Sequence, residues 1–181
     1  NTLGVLIHPM QHQGKIFYSK YAPKNKPMPF AIAIGCDPLS TFAAGSSPRR
    51  GENEVDFAGA IRQEPVELIK CETNDLLVPA HAEIVLEGEI IPDLMIPEGP
   101  FGEFTGFRTP LGIKPAYRIN TITHRNNPIL TFSNPGFPPC DDTMLSITES
   151  VTTEKALKRR GVPITNVYVP PEGALHLVII G

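Results

Sequence analysis

Proline and glycine interrupt this chain so often that long helices are excluded over most of it. Twenty prolines and 15 glycines fall among 181 residues. Each proline removes a backbone donor and turns the preceding residue away from helical geometry. The short β-like runs between them suit an antiparallel barrel better than a helical bundle. Strands are expected at residues 3–8, 15–19, 30–34, 66–71, 82–91, 117–124 and 129–133. In 82–91, Ile84, Leu86 and Ile90 alternate with Glu83, Glu87 and Glu89, which predicts one buried and one solvated face.

Helices are expected at 55–61 and at about 143–160, the second capped by Asp141 or Asp142 and closed by Gly161. Lys158, Arg159 and Arg160 fall in its last turn, where cations complement exposed carbonyls. Beyond Gly161 two apolar runs around Pro170-Pro171 read as the opening of a separate α/β unit. The expected division is residues 1–160 and 161–181. The chain starts on an apolar run without methionine and stops inside another, leaving strand donors and acceptors to be paired. It is therefore expected to be a fragment, with remaining domains of the parent as partners.

With 16 basic and 19 acidic residues, the charge gives little attraction to phosphate backbones, so nucleic acid is excluded as a partner. No apolar run approaches the roughly 20 residues of a membrane span. Three cysteines, Cys36, Cys71 and Cys140, fit neither a disulfide framework nor a four-thiolate zinc site, and point to a reducing cytoplasm. Cys71 and Cys140 have no nearby basic group to make them nucleophiles.

The segment with chemical content is Glu98-Gly99-Pro100-Phe101-Gly102-Glu103. Glycines and a proline hold two carboxylates close together in a tight turn, a placement able to aim both into one cavity. Paired carboxylates suit proton transfer, because desolvation or mutual proximity makes one hold its proton more tightly. Spacing alone favours a surface turn with two solvated glutamates, because such turns are common.

This turn resembles the hallmark of the UbiD-like decarboxylases. The likeness extends to Pro65-Val66-Glu67-Leu68-Ile69-Lys70-Cys71-Glu72-Thr73, to Val78-Pro79-Ala80-His81-Ala82-Glu83-Ile84-Val85-Leu86-Glu87-Gly88, and to Thr123-His124-Arg125 with Asn127-Pro128-Ile129. Gln11-His12 and Glu54 with Asp56 and Gly59 match as well, so the resemblance covers most of residues 10–140.

The resemblance implies a mainly β (α+β) fold: a split β-barrel of the FMN-binding type with peripheral helices, followed by the start of a truncated α/β domain. It also implies non-oxidative, reversible decarboxylation of aromatic, heteroaromatic or α,β-unsaturated carboxylic acids with prenylated FMN, a divalent metal such as manganese, and potassium. Glu103 then matches the proton donor and Glu98 its partner in a glutamate-arginine-glutamate network. His12 and Glu54 match metal ligands, and Gln11, His12, Gly45, Ser46, Ser47 and Glu54 match cofactor-binding positions. The parent is expected to be a homo-oligomer.

Two departures accompany the likeness. Ser46-Ser47-Pro48 stands where many members carry Met-Pro. Asn1-Thr2-Leu3-Gly4-Val5 lacks the asparagine-to-arginine spacing of the family's third metal ligand and catalytic arginine, which are expected upstream. Two rival readings are a free-standing FMN-binding split-barrel redox protein, which needs no paired acids, and a non-catalytic assembly fragment.

Overall fold

The computed structural model describes residues 1–5, 7–10, 12–46, 51–133, 135–137, 139–140 and 142–181, without the side chains of His12 and Asp142. In chain order the elements begin with β1 (Thr2–Gly4), α1 (His12–Ile16) continued by a π-helical turn (Phe17–Tyr21), β2 (Met28–Ile34), α2 (Pro38–Ala44) and α3 (Glu54–Arg62). They continue with β3 (Leu68–Lys70), β4 (Leu77–Pro79), β5 (Ile84–Glu98), β6 (Phe101–Gly102), β7 (Arg108–Thr109) and β8 (Gly112–His124). Last come α4 (Ser146–Arg159), β9 (Val167–Tyr168) and β10 (Ile179–Ile180).

The central sheet has the order β1-β8-β5-β2 and is antiparallel throughout. β1 and β2 are its outer strands, so among the described residues it stays open and forms no closed barrel. With its helices, the fold is mixed α+β rather than mainly β.

Alternation along β2 supplies both faces of this sheet. Phe30 and Ile32 join Ile7, Phe17, Met28, Ile90 and Tyr117 in one cluster, while Ala31 and Ala33 pack on Cys71, Val78, Ala82 and Val85 in the other. Ile90 is fully buried, contributing about 1.5–3 kcal/mol through its apolar surface. The Phe30 and Tyr117 rings pack with centroids 4.8 Å apart. Burial, and secondarily Tyr18, pushes the Tyr117 hydroxyl up to about 12, so it remains neutral.

Covering both faces overturns the solvated side expected for 82–91. Glu87 is buried, beside a register shift between Glu87 and Gly88. Its carboxylate accepts the N–H of Glu72 at 2.9 Å, the N–H of Thr73 at 2.8 Å and the Thr73 hydroxyl at 2.6 Å. This closes the 71–76 loop over the second cluster. Burial works against the Glu87 charge, but the Thr73 hydroxyl, the two N–H groups and the Cys71 thiol more than offset it, holding the carboxyl below its usual range. Burial first, then the charges of Glu87 and Glu72, raises the Cys71 thiol.

Residues 15–19 are helical rather than extended, which places Phe17 in the first cluster. Residues 129–133 form no strand, since β propensity makes no ladder without a neighbour. α2 was not expected. Asp37 caps it, accepting the N–H groups of Leu39 and Ser40 at 3.1 Å each. The long helix lies where expected and ends at Gly161, whose φ is +76. Its N-cap is Leu145 rather than either aspartate; Asp141 lies outside the described residues.

The segment after α4 pairs β9 with β10 antiparallel, and the Val169 N–H donates to Ser150 Oγ at 2.9 Å. Among the described residues no helix is long and apolar enough to cross a membrane.

Glu87→Gln keeps the shape but removes the charge from a site with several donors, and should cost about 2 kcal/mol in urea unfolding. Because the folded-state pKa is depressed, the Glu87 contribution is present above the unfolded value near ~4.3 and lost as pH falls through the folded value. Unfolding midpoints measured from pH 6 to pH 3 should therefore fall less steeply in E87Q than in the wild type.

Candidate active site

β5 carries Glu98 to the end of the sheet. After a second irregularity between Ile91 and Met95, the β5–β8 ladder resumes at Met95↔Pro115 and ends at Glu98↔Gly112. Gly99 then turns the chain at φ +85, which an L side chain rarely adopts, and Pro100 follows across a cis bond. The Gly99 Cα hydrogens face the Pro110 carbonyl, 3.1 Å from where a Cβ would stand.

β1 seats the Glu98 stem. A Cβ on Gly4 would lie 3.0 Å from Glu98 Cγ and 3.2 Å from its Cβ. Glu98 is half-buried, and its Oε2 is fully buried with no hydrogen-bond partner among the described residues. A desolvated carboxylate oxygen in this condition calls for a proton, a donor or a cation. That demand suits a carboxyl working in proton chemistry.

Glu103 stands on the hairpin that follows. β6 pairs with β7 through Phe101↔Thr109 and Gly102↔Arg108. The Glu103 N–H donates to the Phe107 carbonyl at 2.9 Å, and Gly106, at φ +85, donates to the Glu103 carbonyl at 3.0 Å. The half-buried Glu103 side chain accepts the Thr109 hydroxyl at Oε1. Next to it, the Phe104 ring stacks on His176 with centroids 6.3 Å apart and planes at 19°. The expected turn is therefore real, and both acids stand on it with half-buried side chains.

The expected cofactor residues lie elsewhere. Gly45 caps the C-terminus of α2, and the Ser46 hydroxyl donates to the Phe42 carbonyl at 3.3 Å. Glu54 opens α3, whose Asn53 cap accepts the Val55 N–H at 3.0 Å. A cleft of about 750 Å³ separates this region from α4 and is lined by Ser46, Asn53, Asp56, Thr148, Lys155 and Arg159 among others. That volume is in the range of small-molecule sites. Its hydroxyls and cations suit a polar, phosphate-bearing group, and Asp56 and Glu149 add carboxylates. Neither Glu98 nor Glu103 lines it.

Gln11 and Ser47 lie outside the described residues, as does the His12 side chain, while the His12 backbone begins α1. Among the described residues no three His, Cys, Asp or Glu side chains gather as a metal site. Sequence reasoning missed Gly4 and Thr109. The first had no local signal, since its role depends on a strand nearly a hundred residues away. The second stands across a hairpin, with Gly106 between it and Glu103.

Residues 1–138 match the family model of the 3-octaprenyl-4-hydroxybenzoate carboxy-lyase Rift-related domain, UbiD. The chain belongs to this family, whose members are carboxy-lyases. An uncharacterized protein of Archaeoglobus fulgidus is 43% identical over 150 residues, 83% of this chain and 31% of that protein. An evolved dimeric form of the UbiD-class enzyme HmfF from Pelotomaculum thermopropionicum, solved with prFMN, superposes with a TM-score of 0.88 at 32% identity, over 99% of this chain and 41% of that one. The closed form of vanillic acid decarboxylase from Sedimentibacter hydroxybenzoicus gives a TM-score of 0.87 at 35% identity, over 99% and 38%. The chain thus spans well under half the length of each of these proteins.

The contact between Gly4 and Glu98 makes a coupled prediction. Gly4→Ala should lower stability by about 1 kcal/mol, and Glu98→Ala, which removes Cγ but keeps Cβ, should relieve part of that loss, giving a coupling energy of about 0.5 kcal/mol in a double-mutant cycle. Strictly additive urea midpoints would show that the two do not touch.

Proposed function

We propose that this chain is the flavin-binding part of a reversible, non-oxidative decarboxylase acting on aromatic, heteroaromatic or α,β-unsaturated carboxylic acids with prenylated FMN. The observation that carries the reading is the Glu98–Glu103 turn, where one acid has a buried oxygen without a partner among the described residues and the other is held by a hydroxyl. Family membership and the prFMN-bound HmfF relative support the choice of cofactor.

When bound, the modified flavin supplies the electron sink for the bond between the substrate and its carboxyl group. The chain's own acids do the proton work. In this reading Glu103 delivers a proton to the carbon that loses carbon dioxide, and Glu98 is its partner in a glutamate-arginine-glutamate network. Gly45, Ser46 and Ser47 border the cofactor, together with Gln11. His12 and Glu54 would hold a divalent ion such as manganese, because an imidazole and a carboxylate suit that ion. Potassium binds nearby.

A cytoplasmic, homo-oligomeric parent belongs to the same reading. So does a split-barrel assignment for residues 1–160, with 161–181 opening a C-terminal α/β domain.

In the full-length enzyme, Glu103→Gln should lower decarboxylation at least about 100-fold with flavin still bound. A full rate in E103Q would remove the proton-donor role. For the 181-residue chain, calorimetric titration with FMN should give heat that depends on added manganese and disappears in the Glu54→Ala variant. A silent titration would favour an assembly role for this chain.

A further inference from the structure

The hairpin that carries Glu103 also carries a device that fixes its carboxyl. Glu103 lies opposite Phe107, to which its N–H donates, and Thr109 is two residues further along the returning strand. Side chains two apart on a strand point to the same face, and the diagonal neighbour across an antiparallel pair is within reach of a long side chain. The Thr109 hydroxyl accordingly donates to Glu103 Oε1. Thr109 is itself half-buried, so water reaches this bond only in part.

Resting on the proton-donor reading of Glu103, we propose that Thr109 is a positioning residue for that acid. Its hydroxyl engages Oε1 and leaves Oε2 to carry the proton that is transferred. A carboxyl group turns freely about its last torsion unless one oxygen is held, and a general acid must present its proton along one line. When the Oε2 proton passes to the substrate carbon, the product is a carboxylate, and a hydroxyl already donating to Oε1 stabilises the charge that forms. Solvent returns the proton to Oε2 for the next turnover.

β-branched valine reproduces the shape of Thr109 without its donor, and serine keeps the donor without the methyl. In the flavin-loaded full-length enzyme, Thr109→Val should lower kcat about tenfold and leave KM within about twofold, whereas Thr109→Ser should retain kcat near the wild-type value. Thr109→Ala is a second donor-free variant, should valine disturb the hairpin. A separate readout needs neither cofactor nor turnover. In the infrared spectrum of the 181-residue chain with 13C-labelled glutamate, the carboxyl-group band that E103Q removes should move in T109V and T109A but not in T109S.

A band that stays in place in the donor-free variants overturns the proposal, and so does a T109V enzyme that turns over at the wild-type rate while E103Q is inactive. Decarboxylation that survives in E103Q instead removes the proton-donor reading beneath it. That variant alone tells the two failures apart.

Discussion

The antiparallel ladder between β5 and β8 is the constraint on which the rest of this structure depends. It runs from Ile84↔His124 to Glu98↔Gly112, joining the packed part of the sheet to its acidic end. At the packed end, Ile90 pairs with Met28 on one side and Tyr117 on the other, so three strands meet at one buried residue. At the far end the last rung sets where Glu98 leaves the sheet. Interruptions near Gly88 and between Ile91 and Met95 let one strand serve both ends.

Carboxylates do different work along that strand according to what surrounds them. Glu87 is buried but meets several donors, so it stays charged and ties down the 71–76 loop. Glu83 pairs with Arg125 at 2.9 Å and accepts the Ile129 N–H at 3.0 Å, anchoring the chain that follows β8. Glu98 has a buried oxygen with no such partner among the described residues. Burial with full pairing builds structure, whereas burial without pairing leaves an oxygen still in need of a donor.

The Glu103 turn illustrates how small residues free acidic ones. Gly99 and Gly106 take backbone conformations that L side chains avoid, and Gly102 lies close under the Pro135 carbonyl, 3.0 Å from where a Cβ would stand. The loop thereby stays tight enough for Thr109 to reach across it. The stack of Phe104 on His176 ties the same turn to the segment beyond α4.

Much of this was legible along the chain because its causes are local. The strands at 30–34 and 117–124, the helix stop at Gly161 and the acid-bearing turn from Glu98 to Glu103 all follow from backbone preferences of neighbouring residues. The family likeness rests on residues adjacent in sequence too. The open sheet, the helical state of 15–19, the burial of Glu87, the seat that Gly4 makes for Glu98 and the hydroxyl that Thr109 gives Glu103 were decided only by tertiary structure. Each depends on which distant surface a residue meets, and periodicity within one strand cannot say whether its second face will be covered by water or by another part of the chain.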